Sequence, residues 1–241
     1  MRVRWIICLL VAVFAAFSSH AAFASSVISI NGSVLDPAAV NCGTLGNLTT
    51  CQSTNLSGPG YLLNSLVFTF DPDPSITGSF SLTNLGPTVT TFTVSATFSG
   101  LSLASPVSIS GFVGAGTLTD LNGQGATLTD SGVSIYTALI DGVPVHTLLD
   151  PPQLYVSTPL ASGGPGAPAT IPFTSFGPST LAQPLNSSIT TAFQFRLTPG
   201  DQVSLPFAFT VEPVPAPEPG SLTLLGCGIA GLAVFRRRRL K

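Results

Sequence analysis

Acid–base chemistry in this chain would have to run through very few side chains. Of its two histidines, His20 falls in an apolar N-terminal stretch, which leaves His146 in the run VSIYTALIDGVPVHTLL. A Ser-His-Asp site would need that histidine, yet no Gly-x-Ser-x-Gly elbow presents a nucleophile. Glycoside hydrolysis by two carboxylates is no better served. Asp36, Asp71, Asp73 and Asp150 each precede proline, Asp141 precedes glycine, and Asp201 follows Pro199-Gly200. Aspartate at such places bonds its own backbone in turns. The sequence therefore reads as a protein that is not an enzyme.

One stretch has metal-ligand spacing. In DLNGQGATLTD, Asp120, Asn122, Gln124 and Gly125 occupy the first, third, fifth and sixth positions of an EF-hand-like calcium loop. The end of the loop departs from the pattern: its twelfth position is Ser131, Asp130 comes one place early, and ATLTD has the composition of a strand. Calcium held by Asp120, Asn122 and Gln124 and a Gly-rich hairpin loop both account for these residues. No other cofactor is called for. Asp71 and Asp73 in DPDP are turn aspartates beside prolines and need no metal. Among four cysteines, Cys8 and Cys227 belong to the terminal apolar segments, so Cys42 and Cys51 remain to form a disulfide in an oxidising compartment. So short a loop contributes somewhat less than the ~3 kcal/mol of a 15-residue one.

The elements that would carry these residues are strands. In VTTFTVSATF, Phe92, Val94, Ala96 and Phe98 share one face, and Thr91, Thr93, Ser95 and Thr97 the other, which is the period of a half-buried strand with a solvated hydroxyl face. QVSLPFAFTV repeats the pattern with Val203, Leu205, Phe207, Phe209 and Val211, as does TAFQFRLT with Phe193, Phe195 and Leu197. Pro199-Gly200 between them predicts a hairpin over 190–211. Asp141-Gly142 predicts a second hairpin with a two-residue turn, and Pro144 places its return strand at an edge. Further strands are expected at 66–70, 79–83, 107–111 and 127–129, while PLASGGPGAPATIPF reads as a loop. Many short strands with frequent turn signals and no long helical pattern between the termini imply an all-β fold. The expectation is a single antiparallel β-sandwich, immunoglobulin-like or jelly-roll, over residues 25–211.

Charge narrows the partners. Charged residues make up 7% of the chain, and between residues 25 and 217 nine acidic side chains meet a single cation, Arg196. With no basic patch to meet phosphates, nucleic acid and anionic lipid are excluded as partners of the body.

The two ends set the compartment. Arg2 and Arg4, an apolar run from Trp5 to Phe17 and the Ala22-Phe23-Ala24 step before Ser25 form a signal peptide over residues 1–24. At the other end a Pro-rich linker, 212–216, leads to Pro217-Glu218-Pro219, an apolar segment over 222–235, and Arg236, Arg237, Arg238 and Arg239. That segment is roughly 21 Å long as a helix against a hydrocarbon core of about 30 Å. It is a marginal membrane anchor, with the arginines as a stop signal on the cytoplasmic side. The order of Pro-Glu-Pro, short apolar helix and terminal arginines over residues 217–241 resembles the PEP-CTERM sorting signal of Gram-negative bacteria, which a membrane protease-transferase, exosortase, reads. The resemblance implies an exported protein that is held in the inner membrane transiently through its C-terminal helix. Exosortase would then deliver it to the cell surface or extracellular matrix, with exopolysaccharide as a partner. A secreted ligand-binding or adhesion module, carbohydrate-directed and calcium-stabilised, is the other reading of the same body.

Overall fold

A chain whose apolar residues alternate is satisfied only when every strand buries one face, so it needs two facing layers. The computed structural model describes residues 25–36, 38–162 and 164–214, and every regular element in them is a strand. In chain order these are β1 (Ser25–Ile30), β2 (Ser33–Val34), β3 (Asn41–Leu45), β4 (Leu48–Gly58), β5 (Tyr61–Asp71) and β6 (Ser75–Asn84). Next come β7 (Thr90–Ser99), β8 (Val107–Val113), β9 (Gly116–Thr119), β10 (Ala126–Thr129), β11 (Tyr136–Ile140) and β12 (Val143–Leu148). The last five are β13 (Leu154–Ser157), β14 (Ala169–Ile171), β15 (Thr174–Leu181), β16 (Ser188–Leu197) and β17 (Gln202–Pro213).

They form two antiparallel sheets. An eight-stranded sheet runs β12-β11-β16-β7-β1-β2, with β10 also on β16 and β13 on β10. A nine-stranded sheet runs β14-β9-β17-β6-β5-β4-β3, with β8 also on β17 and β15 on β8. The all-β sandwich expected from the alternation is what forms. Its sheets are wider than those of an immunoglobulin domain, which has seven to nine strands in all, or of an eight-stranded jelly roll.

The interior is aromatic. Phe193 of β16 stands 5.1 Å from Phe80 of β6, 5.0 Å from Phe207 of β17 and 5.2 Å from Tyr136 of β11, mostly edge to face. Phe92, Val94, Ala96 and Phe98 of β7 are all buried, as are Val203, Leu205, Phe207, Phe209 and Val211 of β17. Two glycines make room for this packing. Gly78 is paired between Phe68 and Phe207, whose rings meet above it at 5.2 Å, and Gly111 sits in the same way between Phe176 and Phe209. A Cβ at either glycine would collide with a ring and with the backbone carbonyl of a neighbouring strand.

The structure corrects the hairpin expected over 190–211. β16 pairs with β7, β10 and β11 in one sheet, whereas β17 pairs with β6, β8 and β9 in the other. Pro199-Gly200 therefore turns the chain from one sheet to the other, and Phe193 meets Phe207 across the core rather than beside it. Alternation shows which face is buried; it does not distinguish a partner alongside from a partner opposite. The second hairpin forms as expected. β11 and β12 pair through Asp141 and Gly142, both at positive φ (52° and 78°), and β12 ends the ordered path of its sheet. β17 runs to Pro213, two residues into the expected linker, and the Gly- and Pro-rich loop contains β14. Residues 1–24, the C-terminal apolar segment 222–235 and the linker beyond Val214 lie outside the described residues.

Candidate functional site

The strongest concentration of polar side chains surrounds the turn that joins the two sheets. Asp120 closes β9, and its carboxylate is fully buried. Its Oδ1 accepts the N–H groups of Asn122 (3.2 Å) and Gly123 (2.7 Å), and its Oδ2 accepts that of Gly125 (3.0 Å). Burial alone would raise the affinity of this group for a proton, but these N–H groups outweigh it and hold the carboxyl below the usual range. Asn122 accepts the N–H of Gln124 (2.8 Å) and donates from Nδ2 to the carbonyl of Pro199 (2.7 Å). The loop is thus wound around its own backbone and grips the sheet-to-sheet turn. Calcium at Asp120, Asn122 and Gln124 would have to displace these bonds or share their oxygens. Among the described residues no group of three or more His, Cys, Asp or Glu side chains is placed to hold a metal.

The same turn brings in Asp201, whose sequence context marks only a turn, and Asn84, which no sequence motif singles out. Asp201 is fully buried, with Oδ2 2.5 Å from the Thr198 hydroxyl and Oδ1 without a hydrogen-bond partner. Asn84, at the end of β6, donates from Nδ2 to Leu197 O (2.8 Å) and accepts the N–H of Gly200 at its own carbonyl (2.8 Å). Only the crossing between sheets places Asp201 beside Asp120. No local pattern announces it.

The other acids do turn work, as their prolines and glycines suggest. Asp36 and Asp71 each accept the N–H two residues on, at 2.9 and 3.0 Å. Asp130 accepts the N–H groups of Gly132 and Gln153. Asp141 differs. Across the hairpin end it takes the N–H groups of Asn186, Ser187 and Ser188 at 2.8–2.9 Å, together with the Ser187 hydroxyl and the Asn186 amide. Burial opposes these bonds, yet they pull its carboxyl down to about 2.

His146 on β12 stacks against Phe176 of β15 in the opposite sheet, with ring centroids 4.0 Å apart. Asp150, an acid that feels the charge of His146, accepts the Ser134 hydroxyl at 2.6 Å. That serine therefore donates to the carboxylate directly and not to the imidazole, the reverse of what an activated nucleophile needs.

Cys42 and Cys51 face each other across β3 and β4 and form a disulfide, with Cα atoms 4.0 Å apart. Beside that ribbon lies an open groove of about 440 Å³, lined by Asn41, Gln52, Ser53, Thr54 and Ser65 among others. Its polar side chains are amides and hydroxyls, and none is charged.

The residues expected to direct sorting, Pro217, Glu218, Pro219 and Arg236 to Arg239, lie outside the described residues. Comparison with curated proteins gives no match. A family model described as the PEP-CTERM protein-sorting motif matches residues 215–239, beginning two residues after the last strand ends. The chain therefore carries the PEP-CTERM protein-sorting motif that its Pro-Glu-Pro step, apolar run and arginines resemble.

Proposed function

We propose that this protein is a non-enzymatic component of the cell surface or extracellular matrix, exported and sorted by exosortase, with the β-sandwich as the delivered part. The observation that carries the reading is the sorting motif at 215–239, set directly behind the two-sheet sandwich. The body supports a passive role. Its aspartates hold turns, and His146 is stacked on an aromatic ring without a nucleophile as partner. Its outer faces carry cross-strand hydroxyl pairs, such as Ser29 with Ser95 (2.7 Å) and Thr97 with Thr190 (2.9 Å), and Arg196 is the one Lys or Arg among the described residues. An acidic, hydroxyl-covered surface suits a hydrated exopolysaccharide matrix better than a phosphate-bearing partner.

Intact-mass measurement on material from the cell surface or culture medium tests the reading. The mature species should begin near Ser25, end near Pro217-Glu218-Pro219, and lack Cys227 and the terminal arginines. Pro217→Ala with Glu218→Ala should hold the full-length chain in the membrane fraction. Recovery of Lys241 on the mature protein would reduce the tail to an ordinary anchor.

The groove beside the disulfide favours a second reading, a secreted ligand-binding module for neutral glycans. Neutral amides and hydroxyls orient such ligands without charge, and the volume lies within the range of small-ligand sites. Calorimetry with neutral oligosaccharides against Gln52→Ala separates the two. Heat that the substitution abolishes selects the binding module; no heat with either protein leaves the matrix component.

A further inference from the structure

Among the strands that end a sheet, β3 is the one with nothing to close its outer side. β2 has two residues, β14 three and β13 four. β12 carries Pro144 and β15 carries Pro178, and the pairing of each shifts register. The part of β4 that runs past β3 holds Asn55 at a φ of 55°, outside the strand region. Short length, proline and bulges keep a sheet edge from pairing with another chain. β3 runs for five residues, Asn41–Leu45, with no proline, no charge and no register shift.

The groups on that open side can be assigned. The Cα atoms of Cys42 and Cys51 are 4.0 Å apart, the close spacing of a pair that exchanges no ladder hydrogen bonds, against about 5.5 Å for a bonded pair. Bonded and non-bonded pairs alternate, so Cys42 and Thr44 both turn N–H and C=O away from β4. Among the described residues these groups have no other backbone partner. Between them is Gly43. Glycine weakens a strand unless a bulge, a bend or the close approach of another backbone calls for it. Nothing in its own chain calls for Gly43: its φ is not positive, its register is unbroken, and a Cβ there would meet nothing within 4 Å. The other glycines with the same open space, Gly32, Gly46, Gly60, Gly132 and Gly142, all have positive φ.

We propose that β3 pairs antiparallel with β3 of a second copy of this chain, about a two-fold axis at Gly43. Cys42 then lies opposite Thr44 of the second copy, and Thr44 opposite its Cys42. Each pair exchanges both of its bonds, which satisfies the outward N–H and C=O of both residues. At the axis position 43 faces itself in a non-bonded pair, the closest approach in the ladder, and two side chains would meet there. An unrelated strand would need no glycine at that one place. Leu45, at 85% the most exposed large apolar side chain among the described residues, comes to lie beside Asn41 of the second copy. The disulfide also has a part: β3 buries none of its own residues, and the Cys42–Cys51 bond holds it in line as a template. Five residues a side bury less than the roughly 1,000 Å² of a stable interface, so the contact is reversible and follows protein concentration.

Sedimentation of the full-length chain in mild detergent over a range of concentrations, with amide exchange read by NMR, tests the pairing. The native dimer should grow with concentration, and exchange at the N–H groups of Cys42 and Thr44 should slow with it. Gly43→Lys meets nothing in its own chain but sets two cations opposite each other at the axis, and should weaken the dimer roughly tenfold or more. Gly43→Glu should do the same, and an equimolar mixture of the two variants should restore pairing. Thr44→Pro removes an outward N–H without touching the β4 ladder and should abolish the slowing at Cys42. Native-like melts of the variants show that the body is intact. A chain that stays monomeric at every concentration overturns the proposal. So does a dimer that persists equally in Gly43→Lys and Thr44→Pro, which would place it at the terminal apolar segments, or protection that grows on β12 or β15 instead.

Discussion

The middle of the sandwich and the β3–β4 ribbon at its side are both antiparallel β-structure, yet they are held by different means. In the middle, β7, β16 and most of β17 bury every second side chain, β6 buries all of Phe80 to Asn84, and Phe80, Phe193, Phe195 and Phe207 close the space between the sheets. On the ribbon all five residues of β3 are exposed, and β4 turns only Cys51 fully inward. Burial of aromatic area stabilises the first region. The second has little area to bury, and the Cys42–Cys51 bond ties it across the strands. A strand can be secured by what lies opposite it or by what is bonded beside it.

If burial holds the middle, deleting one ring there should be felt by the whole molecule. Phe193→Ala removes a side chain that touches Phe80, Tyr136 and Phe207 at once. Its cost should be about 3–5 kcal/mol, a fall in Tm on the order of 10 °C for a body of this size. Calorimetry reads it directly. A fall of only 1–2 °C would mean that the core collapses around the gap, and the contrast with the ribbon would lose its basis.

The disulfide offers the converse test. Cys42→Ser with Cys51→Ser should cost roughly 2–3 kcal/mol by the loop-entropy argument, with the loss confined in space. Hydrogen exchange should quicken at the amides of β3 and β4 while β6, β7 and β16 keep their protection. Equal loosening of all five strands would show that the ribbon and the middle unfold as one unit.

How far the sequence could foretell this follows the same division. The alternation of Phe92, Val94, Ala96 and Phe98, or of Val203 to Val211, leaves one arrangement for each strand, because a one-residue slip would expose the whole apolar set. β4 has no such signal: seven of the eleven residues of LTTCQSTNLSG carry hydroxyls or amides, and it is a strand because β5 pairs along its length. The Pro199-Gly200 turn fails in another way. A turn motif fixes a reversal of the chain, and a reversal serves a hairpin or a crossing to the opposite sheet equally well. Asp201 inherits that ambiguity, since its neighbour Asp120 is reached only by the crossing. Asp141 was legible as a turn residue through its Asp-Gly step, but its carboxylate is used on residues 186–188, more than forty positions away.

Asp141 also tests whether a polar clamp can act as a third kind of tie. The β11–β12 hairpin lies at the rim of its sheet, as the ribbon does, and has no disulfide. Its turn is fastened to the start of β16 by five donors on one carboxylate. Because that carboxylate is partly exposed to water, Asp141→Asn should cost only about 1 kcal/mol near neutral pH. The sign of its pH dependence is fixed by the folded value of about 2, which lies below the ordinary carboxylate value. The ionised form is the one that the fold favours, so the contribution is present above pH ~4 and is lost as pH falls toward 2. Urea midpoints of the native chain and Asp141→Asn should therefore differ at pH 6 and converge by pH 2. A difference that stays constant across that range would mean that the amide replaces the carboxylate at those N–H groups. The rim hairpin would then be held by its turn geometry, with Asp141 and Gly142 at positive φ, and not by charge.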